Sequence, residues 1–168
     1  GLRYTQDDKE FFSSLFLHGS LLHLLSNLWF LWIFGDNVEE RLGSLRYLGF
    51  YLICGLAAGA VHVIALPSSQ APTLGASGAV AGVMGAYLRL FPRGKVLTLV
   101  PVFILPLFVE LPALVFLGFW FVLQIFGAGL GRIAAESGVG VAFWAHLGGF
   151  ACGWLTVRTF VPARRLSG

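Results

Sequence analysis

The sequence predicts an all-α protein, a polytopic bundle of about five transmembrane helices. Of its 168 residues, 57% are hydrophobic and only 11% are charged, whereas a soluble domain carries about 25% charged residues. Several apolar stretches approach the roughly 20 residues that a helix needs to cross a bilayer. The 22 glycines suit membrane helices, whose backbones approach closely where side chains are small.

Five apolar stretches are the predicted membrane spans. In chain order they cover about Leu15 to Phe34, Tyr47 to Leu66, Leu74 to Leu90, Pro112 to Phe126 and Val141 to Val161. Three connecting segments are predicted as loops: charged at Asp36 to Arg46, polar at Ser68 to Thr73 and glycine-rich at Gly127 to Gly140. No internal repeat is visible, so residues 1–168 are interpreted as a single membrane domain.

A further apolar stretch, Val96 to Leu111, is not counted as a span. Pro101, Pro106 and Pro112 lie within it or directly after it, and proline breaks the interior of a helix. We expect an interfacial turn that leads into the fourth span.

The basic residues orient the bundle. Most of them lie at the C-terminal ends of the first, third and fifth spans: Arg41, Arg46, Arg89, Arg93, Lys95, Arg158, Arg164 and Arg165. Short cytoplasmic loops are rich in Lys and Arg, so these ends are predicted to face the cytoplasm. The N-terminal ends of the same spans then lie in the outer leaflet. The net charge of +3 forms no continuous basic stripe, so nucleic acid is not an expected partner.

Four polar side chains lie within the predicted spans: His23, Asn27, Ser77 and His146. Intramembrane polar residues are functional candidates, because a polar group in hydrocarbon is costly without a partner. Each lies in the N-terminal part of its span, so the topology places all four at a similar depth. His23 and Asn27 differ by roughly 40° around a helix and share a face, whereas His18 is about 140° from His23.

Ser77 and His146 are predicted to form a catalytic dyad. Small residues recur every four positions in the last span, at Ala145, Gly149 and Gly153, a spacing typical of close helix contacts. The third and fifth spans should therefore pack with their backbones nearly touching. A serine hydroxyl is a weak nucleophile that needs a base such as imidazole. No Asp or Glu accompanies these residues in the spans, which indicates a dyad without an acid.

Ordinary structural roles compete with these interpretations. A serine in a membrane helix commonly bonds to its own backbone, and small-residue spacing commonly serves packing alone. His62 is interpreted as structural or interfacial, and Gln124 as a possible hydrogen-bond partner across the bundle without a chemical role. Cys54 and Cys152 are interpreted as small core residues, and neither a disulfide, a metal site nor a cofactor is expected.

The motifs resemble those of the rhomboid family of intramembrane serine proteases, from about Phe11 to Phe160. Residues 18–27, HGSLLHLLSN, resemble the family's pattern of two histidines and an asparagine. Residues 75–78, GASG, resemble its GxSG motif, and residues 145–149, AHLGG, its AH-x-GG motif. Residues 38–43, VEERLG, resemble its E-x-R segment.

The resemblance implies that Ser77 attacks the scissile carbonyl and that His146 takes its proton, giving an acyl-enzyme that water hydrolyses. It implies that His23, Asn27 and the Ser77 backbone N–H stabilise the oxyanion. The residues expected to support this site are His18, Gly75, Gly78 and Gly149. The implied partners are a transmembrane protein substrate and the lipid bilayer. The bacterial type of the family implies an inner membrane with the site opening to the extracytoplasmic side.

The sequence departs from the family pattern in three places. The family core has six helices, so we expect the first to lie upstream of Gly1. Lys9-Glu10 stands where some relatives have Trp-Arg. Ala81 stands where some relatives have a tyrosine stacked on the catalytic histidine, so another group must orient His146.

Two other classes of function compete with a protease. The first is a catalytically dead rhomboid-like protein that binds membrane proteins, but such proteins lack the serine or the histidine, and both are present here. The second is a transporter that uses His18, His23 and His146 for protons or a metal. A metal site would need three converging ligands, and His18 should point away.

Overall fold

The computed structural model describes residues 19–67, 76–102, 105–133 and 141–163, most of which are helical. The elements, in chain order, are helix α1 (Gly19–Phe30), a π-helical segment (Leu31–Gly35), α2 (Asp36–Leu42), α3 (Ser44–Ala65), α4 (Ala76–Leu90), strands β1 (Lys95–Val102) and β2 (Leu105–Pro112), α5 (Ala113–Ile133) and α6 (Val141–Phe160). The second, third and fifth predicted spans agree with α3, α4 and α6 to within one turn. The predicted loop at Ser68 to Thr73 lies outside the described residues.

The first span continues as a helix where a charged loop was predicted. The π-helical segment leads directly into α2, whose Val38 and Leu42 are buried while Asp36 and Glu40 are exposed. This four-residue spacing makes the charged segment an amphipathic helix, so the loop prediction was wrong. The chain turns at Gly43, which has φ +83°, a conformation that glycine adopts readily.

The proline-containing stretch forms an antiparallel hairpin of β1 and β2, which corrects the expected turn. The rest of the described fold is helical and agrees with the predicted all-α class. Leu99 lies opposite Phe108 in its register. Pro101 and Pro106 lie opposite each other near the hairpin end, and Pro112 is the last residue of β2. Proline is tolerated at such positions because few ladder hydrogen bonds are lost there. The expectation that these prolines exclude one continuous helix is confirmed.

The fourth span is longer than predicted, because α5 continues past Phe126 to Ile133. Residues 127–133, predicted as the start of a glycine-rich loop, are helical, and the rest of that predicted loop lies outside the described residues. A Cβ atom at Gly127 would overlap the Phe143 ring of α6. Packing between α5 and α6 therefore outweighs the low helix propensity of glycine.

Helix α4 lies at the centre of the fold, and every residue from Gly78 to Tyr87 is buried. Added Cβ atoms at Gly149 and Gly153 of α6 would overlap the carbonyl groups of Gly78 and Gly82, respectively. The contact one turn further along α6 is also one turn further along α4, so the two helices run parallel. This confirms the close packing that the small-residue spacing predicted.

Helix α3 covers another side of α4 in the opposite direction. Its Ala58 lies against Gly78, and its Cys54 lies against Gly82. Cys54 is fully buried, as the core interpretation expected. The two helices are therefore antiparallel, as consecutive spans of a bundle should be.

The outward side of α3 is apolar and exposed. Large side chains on it include Leu45, Leu48, Leu52, Leu56 and Ile64, and such exposed apolar surfaces mark membrane or protein contacts. Among the described helices, only Ser44–Ala65 is both long and apolar enough to cross a membrane, and the apolar part of α5, Ala113–Gly127, is shorter. The number of membrane spans stays a prediction.

Candidate active site

Ser77 is the second residue of α4 and is half-buried. The first four N–H groups of a helix have no intrahelical partner, so the Ser77 backbone N–H is available to an acceptor outside the helix. The partial positive charge of a helix N-terminus favours negative charge nearby. Gly75, which precedes this helix, lies outside the described residues.

His146 lies in the second turn of α6 and is also half-buried. The residues next to the pair lie near each other, since a Cβ atom added at Gly78 would lie 3.6 Å from the Ala145 carbonyl oxygen. Gly149, one turn further along α6, contacts the Gly78 carbonyl. The chain therefore carries Ser77 and His146 on either side of a direct backbone contact.

Within the described residues, no hydrogen bond joins the Ser77 hydroxyl to the His146 ring. Catalytic hydrogen bonds are often long without substrate and tighten only in the complex. The geometry thus brings the two helices together at the level of the predicted dyad without an Oγ–H···N bond.

The His146 ring contacts two side chains of α5. Its Nδ1 atom lies 2.8 Å from Oε1 of Gln124, which is buried with 8% of its surface exposed. The centroid of its ring lies 5.8 Å from that of Trp120, with the planes tilted by 40°. Trp120 and Gln124 are four residues apart and share a helix face. The sequence analysis gave Gln124 no chemical role, although a polar amide in an apolar helix could have indicated one.

His23 and Asn27 both lie on α1, which contacts α4. His23 is exposed. Asn27 is half-buried. Helix α1, which carries His23 and Asn27, and helix α6, which carries His146, therefore both contact α4. His18 lies outside the described residues.

His62 is buried in α3, and its ring nitrogens have no hydrogen-bond partner in the part of the chain that the structure describes. It follows Ala58 by one turn on the face that meets α4. Its burial supports the structural interpretation. No three His, Cys, Asp or Glu side chains among the described residues lie close enough together to hold a metal ion.

The sequence matches a known family along nearly its whole length. The model of the Rhomboid domain matches residues 7–163. Rhomboid protein 1, mitochondrial, from Saccharomyces cerevisiae is 32% identical over 101 residues, which cover 58% of this chain and 29% of that protein. No solved structure matches the chain significantly.

Two further relatives match shorter regions. Presenilin-associated rhomboid-like protein, mitochondrial, from Homo sapiens is 32% identical over 84 residues, or 49% of this chain and 22% of that protein. Rhomboid-like protein 11, chloroplastic, from Arabidopsis thaliana is 43% identical over 74 residues, or 44% of this chain and 26% of that protein. The chain thus covers less than a third of the length of each of these relatives.

Proposed function

Because this chain belongs to the rhomboid family, whose members are integral membrane proteins, we propose that it is an intramembrane serine protease. The observation that carries the proposal is the close backbone approach of α4 and α6, where a Cβ atom added at Gly149 would overlap the Gly78 carbonyl group. It places the residues of the GxSG and AH-x-GG motifs side by side. The substrate is a transmembrane protein that enters the site where its own helix unwinds.

In the proposed reaction, Ser77 Oγ attacks the carbonyl carbon of the scissile peptide bond while His146 takes the hydroxyl proton. The protonated imidazole then gives this proton to the leaving amine, and water hydrolyses the acyl-enzyme by the same steps. His23, Asn27 and the Ser77 N–H stabilise the oxyanion. The N–H groups of the first turn of α4 have no acceptor within the helix. This supports the role, because preorganised donors are worth about 3–4 kcal/mol each.

The membrane side of the site follows from the basic residues. Arg89 and Arg158 lie in the last turns of α4 and α6, so Ser77 and His146 lie toward the opposite, extracytoplasmic side. The relatives named above are mitochondrial or chloroplastic, and their names give no support to the predicted bacterial inner membrane.

Proteolysis in liposomes tests the proposal. The purified chain should cleave a single-span substrate with a glycine-rich, helix-breaking segment near its outer end. Ser77→Ala, His146→Ala and the double variant should all be inactive to the same extent, because residues that act as a unit are not additive. Ser44→Ala is the matched control, since Ser44 is exposed at the other end of the bundle. Cleavage that survives in Ser77→Ala, or its absence from the wild type, would overturn the proposal in favour of an inactive binding protein.

A further inference from the structure

We propose that Gln124 is a positioning residue for His146. The side-chain oxygen of Gln124 holds the imidazole in the one neutral tautomer that can act as a base toward Ser77. The inference rests on the proposed protease function. Ala81 of α4 cannot orient His146 as the tyrosine of some relatives does, and the group that orients His146 here comes from α5.

The contact between Gln124 and His146 determines which ring nitrogen carries the proton. A neutral imidazole has one N–H donor and one acceptor nitrogen, and an amide oxygen can only accept. With Oε1 at 2.8 Å from Nδ1, the hydrogen must lie on Nδ1. The lone pair is then on Nε2, where it can receive a proton.

The amide occupies the place that a carboxylate has in a Ser-His-Asp triad, where the acid accepts from Nδ1–H and orients the ring. Helices α1, α4, α5 and α6 contain no Asp or Glu. A neutral acceptor also avoids burying a second charge, which is costly in an apolar environment.

The Trp120 ring holds the imidazole from a second direction. It lies against His146 at 5.8 Å and against Phe150, one turn further along α6, at 5.9 Å between ring centroids. Phe121 also packs on Phe150, at 4.7 Å. These contacts fix α5 against α6 one turn from Gln124, so the amide and the indole are carried by one rigid face. Ala81 is itself buried, with 1% of its surface exposed, and leaves the aromatic contact to Trp120.

The opposite orientation of the Gln124 amide would give the other tautomer of His146. If the Gln124 NH₂ group donated to Nδ1, the imidazole proton would lie on Nε2, and His146 could not accept the proton of Ser77 through that atom. The two orientations are therefore distinguished by the tautomer of one ring.

Nitrogen NMR of the protein labelled with ¹⁵N-histidine reads this tautomer without any substrate. At a pH where the ring is neutral, His146, assigned by the loss of its signals in His146→Ala, should be protonated at Nδ1. In Gln124→Leu, which keeps bulk but removes the acceptor, this preference should be lost. A wild-type ring protonated on Nε2, or an unchanged tautomer in Gln124→Leu, would overturn the inference whether or not the protein is a protease.

Kinetics provide the second readout. Gln124→Leu should lower kcat roughly 10- to 100-fold with KM unchanged, as expected when an orienting partner is lost. Gln124→Glu, which restores an acceptor, should recover most of the activity and also serves if the leucine variant folds poorly. Leu123→Ala is the matched control, because Leu123 is a neighbouring residue that is 47% exposed. A Gln124→Leu enzyme with wild-type kcat would contradict the inference, whereas a wild type without cleavage would contradict only the proposed function.

Discussion

The residues of the site are polar groups in surroundings that otherwise favour apolar side chains. The Ser77 backbone N–H lies in the first turn of α4, where the helix itself supplies no hydrogen-bond acceptor for it. His146 gains a partner in Gln124, at 2.8 Å. The residues that the sequence analysis chose in spans one, three and five were found from polarity and depth alone. Gln124 was missed as a functional residue because its importance depends on the ring that it faces.

The roles of His23, Asn27 and His18 can be separated at this scale. Asn27→Ala removes an oxyanion donor and should lower kcat about 100- to 1,000-fold, leaving weak cleavage and slower reaction of Ser77 with a fluorophosphonate. His18→Ala should act mainly on stability, because His18 is predicted to face away from His23. Cleavage and thermal stability are measured for His23→Ala, Asn27→Ala and His18→Ala in one detergent. An Asn27→Ala enzyme as active as wild type, beside a stable but inactive His18→Ala, would reverse these assignments.

At the scale of elements, the contact between α4 and α6 is the feature that sequence spacing predicted best. Glycines repeated every four residues lie on one face of a helix and allow a second helix to approach it closely. The hairpin and α2 were missed for physical reasons that act beyond local composition. Strand pairing in the hairpin depends on distant partners such as Leu99 and Phe108. The charged residues of α2 lie on its outer face, while Val38 and Leu42 are buried.

Bulk at Gly149 should separate the nucleophile from its base. A Cβ atom there already overlaps the Gly78 carbonyl, so Gly149→Leu must move α6 away from α4. A displacement of about 1 Å can cost roughly 100-fold in rate. Gly118→Leu on α5 is the matched control, because nothing lies within 4 Å of a Cβ atom at Gly118. The close-packing account fails if Gly149→Leu folds and retains the kcat of Gly118→Leu.

At the scale of the whole molecule, the order and direction of the helices agree with the sequence prediction. Helix α3 precedes α4 and runs antiparallel to it, while α4 and α6 are parallel. This alternation is what consecutive membrane spans produce. The sequence could not give the length of α5, because glycine signals a loop unless packing against α6 favours the helix. The number of spans depends on lipid contacts that helix length and composition only partly determine.

The orientation of the bundle can be read by cysteine labelling in sealed vesicles. In a chain with Cys54 and Cys152 replaced by alanine, Ser44→Cys and Ala76→Cys each place one exposed thiol at an opposite end. A membrane-impermeant maleimide should reach position 44 only from the cytoplasmic side and position 76 only from the other side. Labelling of both positions from the same side would show that the predicted topology is wrong.

The central claim, that Ser77 is a nucleophile activated by His146, is tested most directly by mapping the adduct of a fluorophosphonate. Peptide mass spectrometry of the labelled protein should place the phosphonyl group on Ser77, and His146→Ala should abolish or strongly slow its formation. Ser44→Ala, whose serine lies at the far end of α3, should label like wild type. An adduct on another residue, or undiminished labelling of Ser77 in His146→Ala, would contradict the account.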